Sequence, residues 1–284
     1  MKLQDALLLT ALGLVYVFPP EVLFSRIPLL VGLFLKRFPG PAAEARARIR
    51  AALDVSASEA ERLLRTSLYH LASTALEVLY FLKEGPPWLE RIFVRVEGRE
   101  YLPPRGKGHI FLSAHLGNWE LMGAWLCQHG YPLLAVEKPQ PDALVSRVLE
   151  RLRRRAGIQL VSKDLRDFRP LLRALRGGTS VGLIADQHAG HRGLPARFFH
   201  RRTSTFLGPV HLAYALRQPL HPVFAIREAP GRLFVLMLPP LEVPGNPRDP
   251  VPGLEAYNRI LEQVIRRYPE QWLWLHRRWR DDDL

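Results

Sequence analysis

The sequence predicts an α/β fold, a mixed β-sheet flanked by helices, behind an N-terminal helical membrane-binding region. Three observations predict it. From residue 92 onward, short runs rich in Val, Ile, Leu and Phe alternate with helical stretches. Residues 41–84 read as helix throughout, and the first forty residues carry two uncharged apolar runs. The chain divides accordingly into an apolar anchoring segment, 1–40, and a single α/β domain, 41–284.

The N-terminal runs are Ala6–Phe18, closed by Pro19-Pro20, and Ile27–Leu35, followed by Lys36 and Arg37. Neither reaches the ~20 residues that cross a bilayer. A cleaved signal peptide is disfavoured, because only Lys2 charges its start and no small-residue cleavage site comes after the first run. Two apolar segments with basic flanks fit helices lying in the headgroup region. A buried helical hairpin is the competing expectation.

Ser56-x-x-Glu59 is a capping-box signature opening a long periodic helix, Glu59–Leu82, which Gly85-Pro86-Pro87 ends. The expected strands are Ile92–Val96, His109–Ser113, Leu133–Val136, Ile158–Val161, Ser180–Ala185, Pro222–Ile226 and Leu233–Leu238. Helices are expected at Trp119–Gln128, Ala143–Arg155, Phe168–Leu175, Ser204–Arg217 and Leu254–Tyr268. A Trp-rich segment, PEQWLWLHRRW, comes after the last of these.

Lys and Arg number 40 against 27 Asp and Glu, a formal charge of +13 carried mostly by Arg. Such a surface suits phosphates, an anionic bilayer or an acidic carrier protein. The one cysteine, Cys127, excludes a disulfide framework and reads as a core residue in LMGAWLCQ. No nucleic-acid motif is present. Trp272, Trp274 and Trp279 with Arg277, Arg278 and Arg280 suit base stacking and a membrane interface equally, and the apolar N-terminus favours packing or membrane.

The stretch HIFLSAHLGNWELMGAWL carries the chemistry. A strand runs into a turn holding His115, and Glu120 lies inside the next helix. Five residues on a regular helix leave side chains ~140° apart, so the two meet only if His115 sits on the turn. In that arrangement Glu120 orients one imidazole nitrogen and the other serves as a general base. The plain alternative is a surface histidine beside a glutamate that suits a helix's first turn.

Two other patterns carry less. Gly178–Gly182 spells the serine-hydrolase elbow, but a helix precedes and a strand comes after, the reverse of what an elbow requires. Asp186, His188 and His191 lie close in sequence without a fourth ligand, and no metal is expected.

HLGNWE resembles the H-x4-D/E motif of the lysophospholipid-acyltransferase-like superfamily, in its lipid A biosynthesis lauroyl/myristoyl acyltransferase branch. RLRRRAGIQLV, LLRALRGGTSVGLIADQHAG, PARFFHRRTSTFLGPVHLAYALRQPLHPVF and YPEQWLWLHRRW are similar to further family segments in the same order. The family's usual glycine after Phe198-Phe199 is His200 here, which leaves that turn's geometry open. The resemblance implies a glycerol-3-phosphate/lysophospholipid acyltransferase-like fold. It also implies direct transfer of a fatty acyl group from an acyl carrier protein or coenzyme A thioester to a glycolipid hydroxyl, with no cofactor.

In that scheme His115 and Glu120 are catalytic, and Asn118, Arg153, Arg155, Asp186 and Gln187 bind substrate. Arg153, Arg155 or backbone amides near His115 are the oxyanion donors. The implied location is the cytoplasmic face of a bacterial inner membrane. Another glycolipid acceptor, such as a mannosylated phosphoinositide, and a non-catalytic anionic-lipid binder are the rival expectations.

Overall fold

The computed structural model describes residue 10 and residues 13–137, 143–162 and 168–280. Helical residues 13–17 lead into α1 (Pro20–Phe24), α2 (Ile27–Arg37), α3 (Pro39–Leu53), α4 (Ala57–Glu84) and α5 (Pro86–Ile92). Proline opens α1, α2, α3 and α5, where a missing N–H costs nothing. At α4, Ser56 Oγ accepts from the Glu59 N–H at 3.2 Å, as the capping signature predicts. This 28-residue helix spans about 42 Å. It ends at Gly85, whose φ of 78° favours glycine.

The remaining elements are β1 (Phe93–Glu97), β2 (Ile110–Ser113), α6 (Trp119–Gln128), β3 (Leu133–Glu137), α7 (Ala143–Arg155), β4 (Gln159–Ser162) and α8 (Arg169–Arg176). After them come β5 (Ser180–Ile184), β6 (Leu194–Phe198), β7 (Arg201–Thr205), α9 (Gly208–Leu216), β8 (Leu220–Ala229), β9 (Arg232–Met237) and α10 (Val251–Arg267). Seven strands form one sheet in the order β1-β9-β8-β2-β5-β3-β4. Its ladders are parallel except β8–β9, so the sheet is mixed. All seven expected strands lie in it, within three residues of their expected ends. Helices flank it, and β2 near its middle is buried along its whole length, as a strand covered on both faces must be.

One element departs from expectation. β6 and β7 form an antiparallel hairpin, and the helix expected from Ser204 begins only at Gly208. The two loop residues, Phe199 and His200, have φ of 47° and 66°. That is the left-handed pair of a tight hairpin turn, where glycine is the usual choice. The departure at His200 therefore preserves the turn and strains it. The strain is opposed by the Phe199 N–H donating to Glu262 at 2.9 Å, by Arg266 against His200 Nε2 at 3.2 Å, and by Arg266 over the Phe199 ring.

Much of the apolar run Ala6–Phe18 lies outside the described residues. Past its end, Phe24, Ile27 and Val31 are buried, and α2 packs against α4. The opposite face is open: Tyr16 is 63%, Val17 74% and Leu29 64% exposed, with Leu30, Leu33 and Phe38 alongside. The buried-hairpin alternative thus holds for one face only. Among the described residues no helix is long and apolar enough to cross a membrane.

Candidate active site

The site forms where β2 and β5 end side by side. These strands are parallel with Ser113 opposite Ile184, so the residues two further on, His115 and Asp186, emerge together. Carboxyl ends of parallel strands are the usual place for a binding crevice. Asp186 Oδ2 accepts from the His115 backbone N–H at 2.9 Å, and Oδ1 lies 2.7 Å from His115 Nδ1. Trp272 Nε1 donates to Oδ2 at 2.7 Å. A carboxylate only accepts, so in the neutral ring Nδ1 carries the proton and Nε2 keeps its lone pair. Burial pushes the Asp186 carboxyl up, but the charge and hydrogen bonds of His115, with the Trp272 indole, overcome it and hold the group at about 2.

Glu120 does not serve His115 in this way. It sits one residue inside α6 and forms a two-point ion pair with Arg153 of α7, at 2.9 and 3.2 Å, both side chains largely buried. The expectation that Glu120 orients the imidazole is corrected. Asp186, next to His115 across the sheet though 71 residues away in sequence, holds that position.

The other expected residues separate into three groups. Gln187 joins His115, with its Nε2 3.3 Å from His115 Nε2. Asn118 is fully buried and caps α6, its Oδ1 accepting from Leu121 N–H at 3.0 Å and its Nδ2 donating to Glu77 at 2.7 Å. Its task is to shape the turn, so the substrate-binding expectation is replaced. Arg155 is not brought to His115. Residues two apart on a helix point about 200° apart, so with Arg153 turned to Glu120, Arg155 faces away. Its guanidinium lies over Gly85, beside an open cleft of about 310 Å³ lined by Phe81, Leu89, Ala124 and Cys127.

The turn carrying His115 is held from three sides. Leu273 N–H donates to the His115 carbonyl at 3.0 Å and Gly117 N–H to the Gln271 carbonyl at 3.1 Å. Asn118 N–H donates to the Ala225 carbonyl on β8 at 2.9 Å. From α4, Thr74 Oγ1 donates to the Gly117 carbonyl at 2.8 Å. Gly117 has φ of 62°, and a Cβ there would collide with the Ala225 carbonyl oxygen, so no other residue fits.

Beneath the turn lies a buried ion pair that sequence reasoning missed. Arg227 of β8 binds both Glu77 oxygens, at 2.8 and 2.5 Å, and donates to Thr74 at 3.1 Å and to His70 Nδ1 at 2.9 Å. The signal was available: a carboxylate inside the apolar run ALEVLYF and an arginine inside VFAIREA are costly unless paired.

The alternative nucleophiles are remote. Ser180 is buried at the opposite end of β5, bonded to the His109 N–H. Burial pushes the Cys127 thiol up to about 11, which keeps it protonated. Among the described residues no group of three or more His, Cys, Asp or Glu side chains is placed to hold a metal.

Three histidines are kept neutral by burial. His70, with Arg227 adding to the effect, is pushed down to about 3, and His221, with His109 adding, to about 4. His276, which accepts from the His188 N–H at 3.2 Å, also falls to about 4 by burial, partly opposed by Asp186. An unfolded histidine titrates near 6.5, so below that pH the unfolded chain binds protons the folded one refuses. Stability should therefore fall steadily as the pH drops from 6.5 toward 4. Melting temperature measured across that range checks it, and a flat profile contradicts it.

Residues 3–281 match the model of a family described as bacterial lipid A biosynthesis acyltransferase. The chain belongs to that family. It is 28% identical over 237 residues to the Escherichia coli lipid A biosynthesis palmitoleoyltransferase, covering 79% of this chain and 74% of that one. It is 27% identical to the phosphatidylinositol mannoside acyltransferase of Mycolicibacterium smegmatis, over 62% of this chain and 58% of that one. The crystal structure of a 1-acyl-sn-glycerophosphate (LPA) acyltransferase from Thermotoga maritima aligns with 89% of this chain and 97% of that one, at 15% identity and a TM-score of 0.39, too distant to bear on the fold. As a lipid A acyltransferase family member with glycolipid-acylating relatives, the protein is an acyltransferase acting on a glycolipid.

Proposed function

We propose that the enzyme moves a fatty acyl group from a carrier thioester, on acyl carrier protein or coenzyme A, to a hydroxyl of a lipid A precursor, at the cytoplasmic face of a bacterial inner membrane. The observation that carries this reading is the Asp186-bound His115, whose Nε2 is left with its lone pair. Nε2 takes the proton of the acceptor hydroxyl as the oxygen attacks the thioester carbonyl. Asp186, held ionised, balances the imidazolium. Collapse of the tetrahedral intermediate breaks the C–S bond, and the imidazolium returns the proton to the departing thiolate. Arg153, fixed by Glu120, supplies positive charge toward the oxyanion. The scheme uses neither a cofactor nor an acyl-enzyme.

The substrate class is tested by mass spectrometry of lipids after incubating the purified protein with lipid A precursors and acyl thioesters. A glycolipid heavier by one acyl chain is expected, and no gain with any pairing contradicts the reading. The matches to phosphatidylinositol mannoside acyltransferases make that lipid the second acceptor to include.

Bilayer docking is supported by the exposed apolar face of residues 13–38, flanked by Arg26, Lys36 and Arg37. The intact protein should float with liposomes containing anionic lipid, and changing Leu29, Leu30 and Leu33 together to Asp should leave it at the bottom of the gradient. Flotation unchanged by these substitutions would assign docking to another surface.

A further inference from the structure

We propose that Gln187 is the residue by which the enzyme discriminates its acceptor hydroxyl from water, because its side-chain amide caps the catalytic nitrogen until the acceptor displaces it. The inference rests on the proposed role of His115 as base.

An enzyme that transfers an acyl group from a thioester faces a side reaction. The base that activates an acceptor hydroxyl will also activate water. The water oxygen then bonds to the acyl carbon, the C–S bond breaks, the proton passes through the imidazole to the thiolate, and a free fatty acid and a thiol result. The base here is half-buried, with 21% of its side chain exposed, so water can reach it. A group that lowers its reactivity while donor is bound and acceptor is absent would suppress that side reaction.

The geometry identifies that group. Asp186 accepts from Nδ1–H, so the lone pair open to a partner on the neutral ring is at Nε2. Gln187 Nε2 stands 3.3 Å from that atom. A lone pair facing the amide group can accept only from its N–H, so the orientation of the amide is set by Asp186. Position is secured independently of side-chain packing: Gln187 is adjacent to Asp186, which is anchored by the His115 backbone and by Trp272. Trp119 covers another side of the imidazole, its ring centre 5.1 Å away.

A contact at 3.3 Å is a long hydrogen bond, and its length matters. It is enough to occupy the lone pair against a weakly held water. It is weak enough to be exchanged for a hydroxyl that arrives on a lipid with binding energy of its own. A short charged partner at this position would block both.

The test uses the full-length enzyme with a dodecanoyl thioester of coenzyme A and of acyl carrier protein, measuring thiol release without acceptor and lipid acylation with it. Gln187→Ala should raise acceptor-free thiol release by about 2- to 10-fold, the worth of one net hydrogen bond, and lower the ratio of transfer to hydrolysis. Gln187→Asn, which keeps the amide but withdraws it by one methylene, should do the same and serves if the alanine variant does not fold. Thiol release that is unchanged, or that falls together with transfer, overturns the proposal and makes Gln187 a binding or oxyanion group instead. His115→Ala in the Gln187→Ala background should abolish the added hydrolysis. If the added hydrolysis survives there, it is the assignment of His115 as base that fails.

Discussion

Replacing His115 by Ala should lower kcat by about 10²–10⁴-fold, the usual contribution of a positioned general base. The comparison that gives this result its meaning is Asp186→Asn. An amide at that position no longer requires Nδ1 to carry the ring proton, so part of the population holds the proton on Nε2, where it is useless for catalysis. A comparable loss is expected, and His115→Ala combined with Asp186→Asn should be scarcely worse than His115→Ala alone, because the two act as one unit. Glu120→Gln should likewise be non-additive with Arg153→Gln, since these two form the other pair. A kcat within a few fold of wild type for His115→Ala, or a covalent acyl adduct on Ser180 or Cys127 after exposure to donor alone, would defeat the mechanism. Intact-protein mass spectrometry reads the second outcome directly.

The second large effect falls on stability. Arg227→Met should cost about 3–5 kcal/mol, because it leaves Glu77, fully buried, without its guanidinium. Urea denaturation measures the loss. Adding Glu77→Gln to Arg227→Met should recover part of it by removing the stranded charge, whereas Glu77→Gln alone should destabilise. A loss below about 1 kcal/mol for Arg227→Met would mean that water reaches the pair. The activity should fall as well, since Thr74 and Asn118 link this pair to Gly117 and to the start of α6.

The large sheet was legible in the sequence because its strands are short apolar runs between helices, and that contrast is local. The hairpin β6–β7 was not. RFFHRRTST carries charge on both arms and no glycine at the turn, so it lacks the signals that mark a hairpin. What forms it lies elsewhere: Arg278 donates to the Ser204 carbonyl and to Thr203 and Thr205, and Trp279 to the Phe198 carbonyl. The site was legible by halves. The place of His115, on a turn at a strand end, is dictated by its neighbours in the chain, and so is that of Glu120 inside the helix. Which carboxylate meets the imidazole is not, because strand adjacency brings Asp186 to it and spacing along one segment says nothing about strand order. Glu77 and Arg227 were readable as costly charges, but their partnership depends on where α4 crosses β8.

The turn bearing His115 takes its backbone partners from Ala225, Gln271 and Leu273, residues made long after it during synthesis. The imidazole itself waits for Asp186, 71 residues further on, and the backbone bonds of the turn wait longer still. The exposed apolar face of residues 13–38 is made before all of these partners. On the proposed mechanism, neither transfer nor donor hydrolysis begins until Asp186 and the tryptophan-rich segment have come together with the turn. Truncation ahead of Gln271 should accordingly yield a protein that turns over nothing, donor hydrolysis included, and turnover by such a fragment would show that the turn forms without those bonds.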